Sequence, residues 1–63
     1  MSEQIKLTEK NLLRYGDIVL SREWQTTNGT NIAEKYIVWN YGRTPQMYLL
    51  TMANGEFITM KRV

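Results

Sequence analysis

The stretch Tyr48-Leu49-Leu50-Thr51-Met52-Ala53-Asn54-Gly55-Glu56-Phe57-Ile58-Thr59-Met60 holds two apolar, β-type segments separated by two residues. Asn-Gly is a strong hairpin signal because a type I′ turn needs positive φ at both central positions, which Asn tolerates and Gly takes without steric cost. A two-residue turn at Asn54-Gly55 fixes an expected register: Ala53 faces Glu56, Met52 faces Phe57, Thr51 faces Ile58, Leu50 faces Thr59 and Leu49 faces Met60. This hairpin is the expected nucleus of a small β domain.

Upstream, residues 1–7 read as a flexible arm or an edge strand, with Ile5 and Leu7 alternating with charge. In Thr8-Glu9-Lys10-Asn11-Leu12-Leu13-Arg14-Tyr15-Gly16, Thr8 can cap, Glu9 suits the first turn, Arg14 the last, and Gly16 offers a left-handed stop. A short helix over 9–14 follows. It is too short to stand alone, so Leu12 and Leu13 must dock on the sheet. Asp17 to Trp24 reads as a long strand with Ile18, Leu20, Arg22 and Trp24 on one face and Val19, Ser21 and Glu23 on the other. Gln25 to Asn31 is polar, carries Asn28-Gly29, and reads as a mobile hairpin loop. Glu34 to Asn40 is a second strand, broken by Tyr41-Gly42-Arg43-Thr44-Pro45, since proline donates nothing to a central ladder. Strands over 46–53 and 56–61 complete one domain spanning 8–63.

Sixty-three residues bury only about 60% of the unfolded surface, and the chain has no Cys for a disulfide and no His for an ordinary zinc site. Several strands are apolar on both faces. Four to five short antiparallel strands of this kind predict an all-β fold, a curved sheet rolled into a small barrel that builds a core without staples. Failing that, self-association or a partner must supply the missing burial.

The pattern Leu13-x-x-Gly16-Asp17-Ile18-Val19, then Lys35-Tyr36-Ile37-Val38, then the Asn-Gly hairpin, resembles small Src-homology-3-like barrels of the kind encoded by bacteriophages and prophages. It covers about two thirds of the chain. Members of that fold mostly bind peptides, proteins or nucleic acid, so the resemblance implies a binding role, and for a phage protein one that occupies and modulates, or inhibits, a host enzyme or complex. The chain lacks an acidic loop cluster and a Tyr-rich groove motif, which speaks against polyproline recognition.

Catalysis is disfavoured because the commonest general base and the most nucleophilic side chain, His and Cys, are both missing. Glu3, Glu9, Asp17, Glu23, Glu34 and Glu56 show no paired spacing, and no glycine-rich phosphate loop exists. No enzyme activity, cofactor or metal is expected. The polar N-terminus and the lack of a long apolar run predict neither export nor a membrane span. The expected location is therefore cytoplasmic, in the host cytoplasm if the chain is phage-encoded, where Asn28-Gly29-Thr30 would meet no glycosylation machinery.

What remains is an unusual aromatic set: Trp24, Trp39, Tyr15, Tyr36, Tyr41, Tyr48 and Phe57. Phe57, Ile37 and Tyr36 are expected to fill the core. Aromatics with arginine mark protein interfaces and also stack bases. The favoured reading is a non-enzymatic protein-binding module with Trp24, Trp39, Tyr41, Arg43 and Met52 at the contact, an exposed strand edge open to β-addition, and homodimerisation as one outcome. The alternative is nucleic-acid binding through Arg22, Trp39, Tyr41, Arg43, Lys61 and Arg62. Net charge is only +2 and the basic residues are interleaved with acids, which favours a protein partner.

Overall fold

The structure, a computed structural model, describes residues 5–63, so positions 1–4 of the expected arm lie outside the described residues. One short helix, α1 (Glu9–Tyr15), precedes four strands, β1 (Asp17–Gln25), β2 (Asn31–Trp39), β3 (Gln46–Ala53) and β4 (Glu56–Arg62). The strands form one antiparallel meander in the order β1-β2-β3-β4. The fold is all-β with a helical turn, as expected, but the sheet stays open. β1 and β4 are its two edges and do not pair with each other.

α1 forms where its signals predict. Thr8 is extended and its hydroxyl accepts from the Asn11 amide at 3.1 Å, Glu9 sits in the first turn and Arg14 in the last. Its end departs from expectation. Gly16 has φ −76° and ψ 166°, an ordinary extended conformation that leads straight into β1, and not the left-handed stop. Glycine is needed here for another reason: a Cβ would lie inside any permitted contact with the Ile37 Cγ2 methyl and 2.6 Å from the Leu12 carbonyl oxygen. The Gly16 amide already donates to that carbonyl at 3.0 Å.

Close approach at Gly16 brings Leu12 down onto the sheet. Leu12, Ile37, Trp39 and Leu50 are the buried core, and Ile5, Leu7, Leu13, Tyr48, Met52 and Met60 pack around them. The register explains why these residues meet: Ile37 pairs with Tyr48 and Lys35 with Leu50 across β2 and β3, and Leu50 pairs with Met60 across β3 and β4, so all point to the helix side. Residues 5–7 pair with no strand, and their apolar side chains extend the same cover. With α1 and Leu12 filling the space that the inside of a roll would occupy, the sheet has no need to close on itself.

The Asn54-Gly55 turn is as expected, with φ 51° and 82°, both positive as a type I′ turn demands. Ala53 pairs with Glu56 and Met52 with Phe57, but a bulge then intervenes and the ladder continues as Thr51 with Thr59, Leu50 with Met60 and Leu49 with Lys61. The expected pairs beyond Met52 are thus each wrong by one residue, because Ile58 is the extra one. A second bulge at Val19 puts Ile18 opposite Ile37 on the helix side and Leu20, Arg22 and Trp24 opposite Tyr36, Glu34 and Ile32 on the other, splitting the face that sequence alternation assigned to all four.

The loop between β1 and β2 is shorter and better tied than expected, since β2 begins at Asn31. The Thr26 amide donates to the Thr30 carbonyl at 2.8 Å, the Gly29 amide to the Thr26 carbonyl at 3.0 Å, and the Thr30 amide to the Thr26 hydroxyl at 3.0 Å. Across the sheet, Asn31 and Asn54 clasp each other. The Asn54 amide donates to the Asn31 carbonyl at 2.7 Å, and the Asn31 amide donates to Asn54 Oδ1 at 3.0 Å. Asn54 therefore both makes the turn and binds it to β2.

The glycines should rank by cause. Gly16→Ala is expected to cost about 1–3 kcal/mol through overpacking, and Gly55→Ala about 1–2 kcal/mol through the left-handed backbone. Gly42→Ala, where a Cβ meets nothing within 4 Å and φ is ordinary, should leave stability almost unchanged. Urea unfolding midpoints of the three variants measure this order.

Candidate functional site

Opposite the helix, the sheet carries a second face that no element of the described chain covers. The pairings lay it out in rows. One row is Leu20, Tyr36, Leu49 and Lys61. A neighbouring row at the open end is Asp17, Val38 and Met47, and the Val63 amide donates to the Met47 carbonyl there at 2.9 Å. On the other side come Arg22, Glu34, Thr51 and Thr59, then Trp24, Ile32, Ala53 and Glu56. None of these side chains is buried. Leu20, Tyr36, Val38, Met47 and Leu49 make a continuous apolar patch, with Trp24 and Ile32 apolar beyond the polar row.

Charge on this face is arranged locally. Arg22 Nη1 lies 3.8 Å from Glu34 Oε1, and its guanidinium carbon sits 5.5 Å from the centre of the Trp24 ring. Arg22 thus bridges β1 and β2, within reach of a carboxylate on one strand and an indole ring on the other. Asp17 accepts from Asn40 Nδ2 at 2.7 Å, which ties the start of β1 to the loop after β2.

The residues expected at a protein contact do not form one surface. Trp39 is only 4% exposed and belongs to the core, because odd-numbered β2 positions face the helix. It cannot anchor a partner. Trp24, 42% exposed, does lie on the uncovered face. Met52 faces the helix side with Glu23, Ala33 and Lys35, and these four line a trough of ≈ 480 Å³. Lys35 spans that trough, donating to the Ser21 hydroxyl at 2.9 Å and lying 3.9 Å from Glu23. Tyr41 lies against Trp39, ring centres 5.1 Å apart, and edge-on to Tyr15 at 6.3 Å, which places it at the C-terminal end of α1. Arg43 is exposed in the adjoining 40–45 loop.

The nucleic-acid set disperses further. Arg22 is engaged by Glu34 and Trp24, Trp39 is buried, and Lys61 and Arg62 point to opposite faces, as their pairing with Leu49 and Tyr48 requires. Among the core expectations, Ile37 is buried, Tyr36 is half-buried on the uncovered face and Phe57 is 40% exposed. The sequence leaves open whether Tyr36 and Val38 or Ile37, Trp39 and Tyr41 face outward, and the structure puts Tyr36 and Val38 on the uncovered face; Leu20, Met47 and Leu49 were not among the expected surface residues. Their signal lies in the double-sided apolarity of β2 and β3, which also fits barrel closure.

The two tryptophans should behave oppositely. Trp39→Ala is expected to cost about 3–5 kcal/mol, while Trp24→Ala should cost well under half of that. In the single-tryptophan variants Trp39→Phe and Trp24→Phe, acrylamide should quench Trp24 readily and Trp39 weakly. No family model, curated protein or solved structure matches the chain.

Proposed function

We propose that this chain is a non-enzymatic protein-binding module that works through the uncovered face of its sheet. The observation that carries this reading is a contiguous apolar patch of Leu20, Tyr36, Val38, Met47 and Leu49, flanked by Trp24, on a face that nothing in the described chain covers. Patches of this kind mark association surfaces. The patch is bordered by Arg22 and Glu34, the polar margin that gives an interface its orientation.

The binding role agrees with the Src-homology-3-like resemblance of the Gly16-Asp17-Ile18-Val19 and Lys35-Tyr36-Ile37-Val38 segments. On that reading the chain is a compact phage-type protein acting in the cytoplasm, where it occupies a surface on a larger enzyme or complex, or on itself. Chemistry by the chain is disfavoured by its residue types, without His or Cys. Nucleic acid is disfavoured by the splitting of Arg22, Lys61 and Arg62 between two faces and an internal ion pair.

A photo-cross-linking residue placed at Leu49 in the producing cell should yield a discrete protein adduct, whereas the same residue at Lys10, on the exposed side of α1, should yield none. No adduct at position 49, or one destroyed by nuclease, contradicts the proposal. In vitro, fluorescence anisotropy of labelled oligonucleotides should stay flat on addition of the chain at both low and moderate salt. A titration that weakens steeply as salt rises would show phosphate contacts instead.

A further inference from the structure

We infer that the occupant of the uncovered face is a second copy of this chain, packed face to face about a two-fold axis to make a two-layer β-sandwich. This rests on the protein-binding reading above and names its partner.

Three features of the molecule favour a second copy. The first is how little one copy buries. Among the described residues only Leu12, Ile37, Trp39 and Leu50 are buried, all on the helix side. A sheet with one face packed and an apolar second face lacks the layer that stable β architectures supply.

The second is the state of the edges. Association through β1 or β4 would extend the sheet, but each edge strand carries a bulge, at Val19 and at Ile58, and each carries charge, Arg22 and Glu23 on β1, Lys61 and Arg62 on β4. Bulges and charges are the devices that block edge pairing. With both edges blunted, the face is the surface left for association, and a face-to-face pair closes without growing into a fibre.

The third is that the face complements itself. Rotation by 180° about an axis parallel to the sheet, midway between the two copies and crossing the strands above Leu20, Tyr36 and Leu49, sets that apolar row against its own copy. The same rotation exchanges the rows on either side, so Arg22 comes to lie over Asp17 of the other copy at the β1 margin, Thr51 over Met47, and Glu34 over Val38, where the Glu34 carboxylate keeps Arg22 of its own chain 3.8 Å away. Lys61 meets its own copy at the β4 rim, where its long side chain turns to water. Four strands about 4.8 Å apart, each contributing about eight residues at about 3.3 Å, give a footprint of roughly 500 Å² per copy. The two faces together reach about 1,000 Å², the lower bound for a specific interface.

Sedimentation equilibrium of the full chain at tens of micromolar should give twice the 7.5 kDa chain mass. Leu49→Glu should give the chain mass with an unchanged far-ultraviolet spectrum. Arg22→Asp and Asp17→Arg each place like charges together, and each alone should weaken the dimer at least tenfold. An equimolar mixture of the two restores both opposite-charge pairs and should recover dimer. A wild-type chain that stays at single mass at hundreds of micromolar overturns the inference, and so does a dimer that survives Leu49→Glu or a mixture no tighter than its components. If the position-49 cross-linker then captures a different protein, the binding role stands and only the second copy falls. If it captures nothing, both fall.

Discussion

Leu12 pressed against Ile37, with Gly16 passing too close to admit a Cβ, is the contact from which the remaining architecture follows. A seven-residue helix has no independent stability, so α1 exists because Thr8 caps its start and Leu12 is buried at its middle. In return the helix decides which side of the sheet is the inside. Ile37, Trp39 and Leu50 are core because they lie under Leu12, and the arm residues Ile5 and Leu7 follow the helix to the same side. Tyr36, Val38 and Leu49, no less apolar, are left on the outside by the same choice.

That asymmetry gives the molecule its character. A strand pair such as β2 and β3, apolar on both faces, can be satisfied by rolling up or by acquiring a second layer. Here α1 fills one side and the sheet remains open, with two bulges marking its edges. The bulges do two things at once. They put Ile18 on the helix side, still exposed, while leaving Leu20 and Trp24 on the far face, and they spoil the hydrogen-bonding edge that another strand would need. Association through the face and resistance to association through the edges thus arise from the same local irregularities.

Much of this was legible in the letters. Asn54-Gly55 announced its turn, and the clasp between Asn31 and Asn54 strengthens a hairpin already fixed by local conformational preference. Thr8, Glu9 and Arg14 announced α1, and Gly42 with Pro45 announced the break after β2. The bulges were not legible, because Val19 and Ile58 are good strand formers with no local mark of irregularity; only the partner strand makes either one supernumerary. The facing of β2 was not legible either. Trp39 and Val38 are both apolar, and the choice between them is made by a helix more than twenty residues upstream. Trp39 therefore belongs to the core and is not the anchor its letters suggest, and no local signal shows that Leu20 and Leu49 share a surface with Tyr36. The end of α1 does need the glycine that its letters suggest, but close approach to Ile37 and not positive φ demands it.

The most direct test of a one-sided core is the pattern of proton–proton nuclear Overhauser contacts within a single isotope-labelled chain. The account predicts contacts from the Leu12 methyls to those of Ile37 and Leu50, none from Leu12 to Tyr36 or Leu49, and no cross-strand contacts between β1 and β4. Contacts joining β1 to β4 within one chain, or Leu12 lying against Leu49, would contradict it.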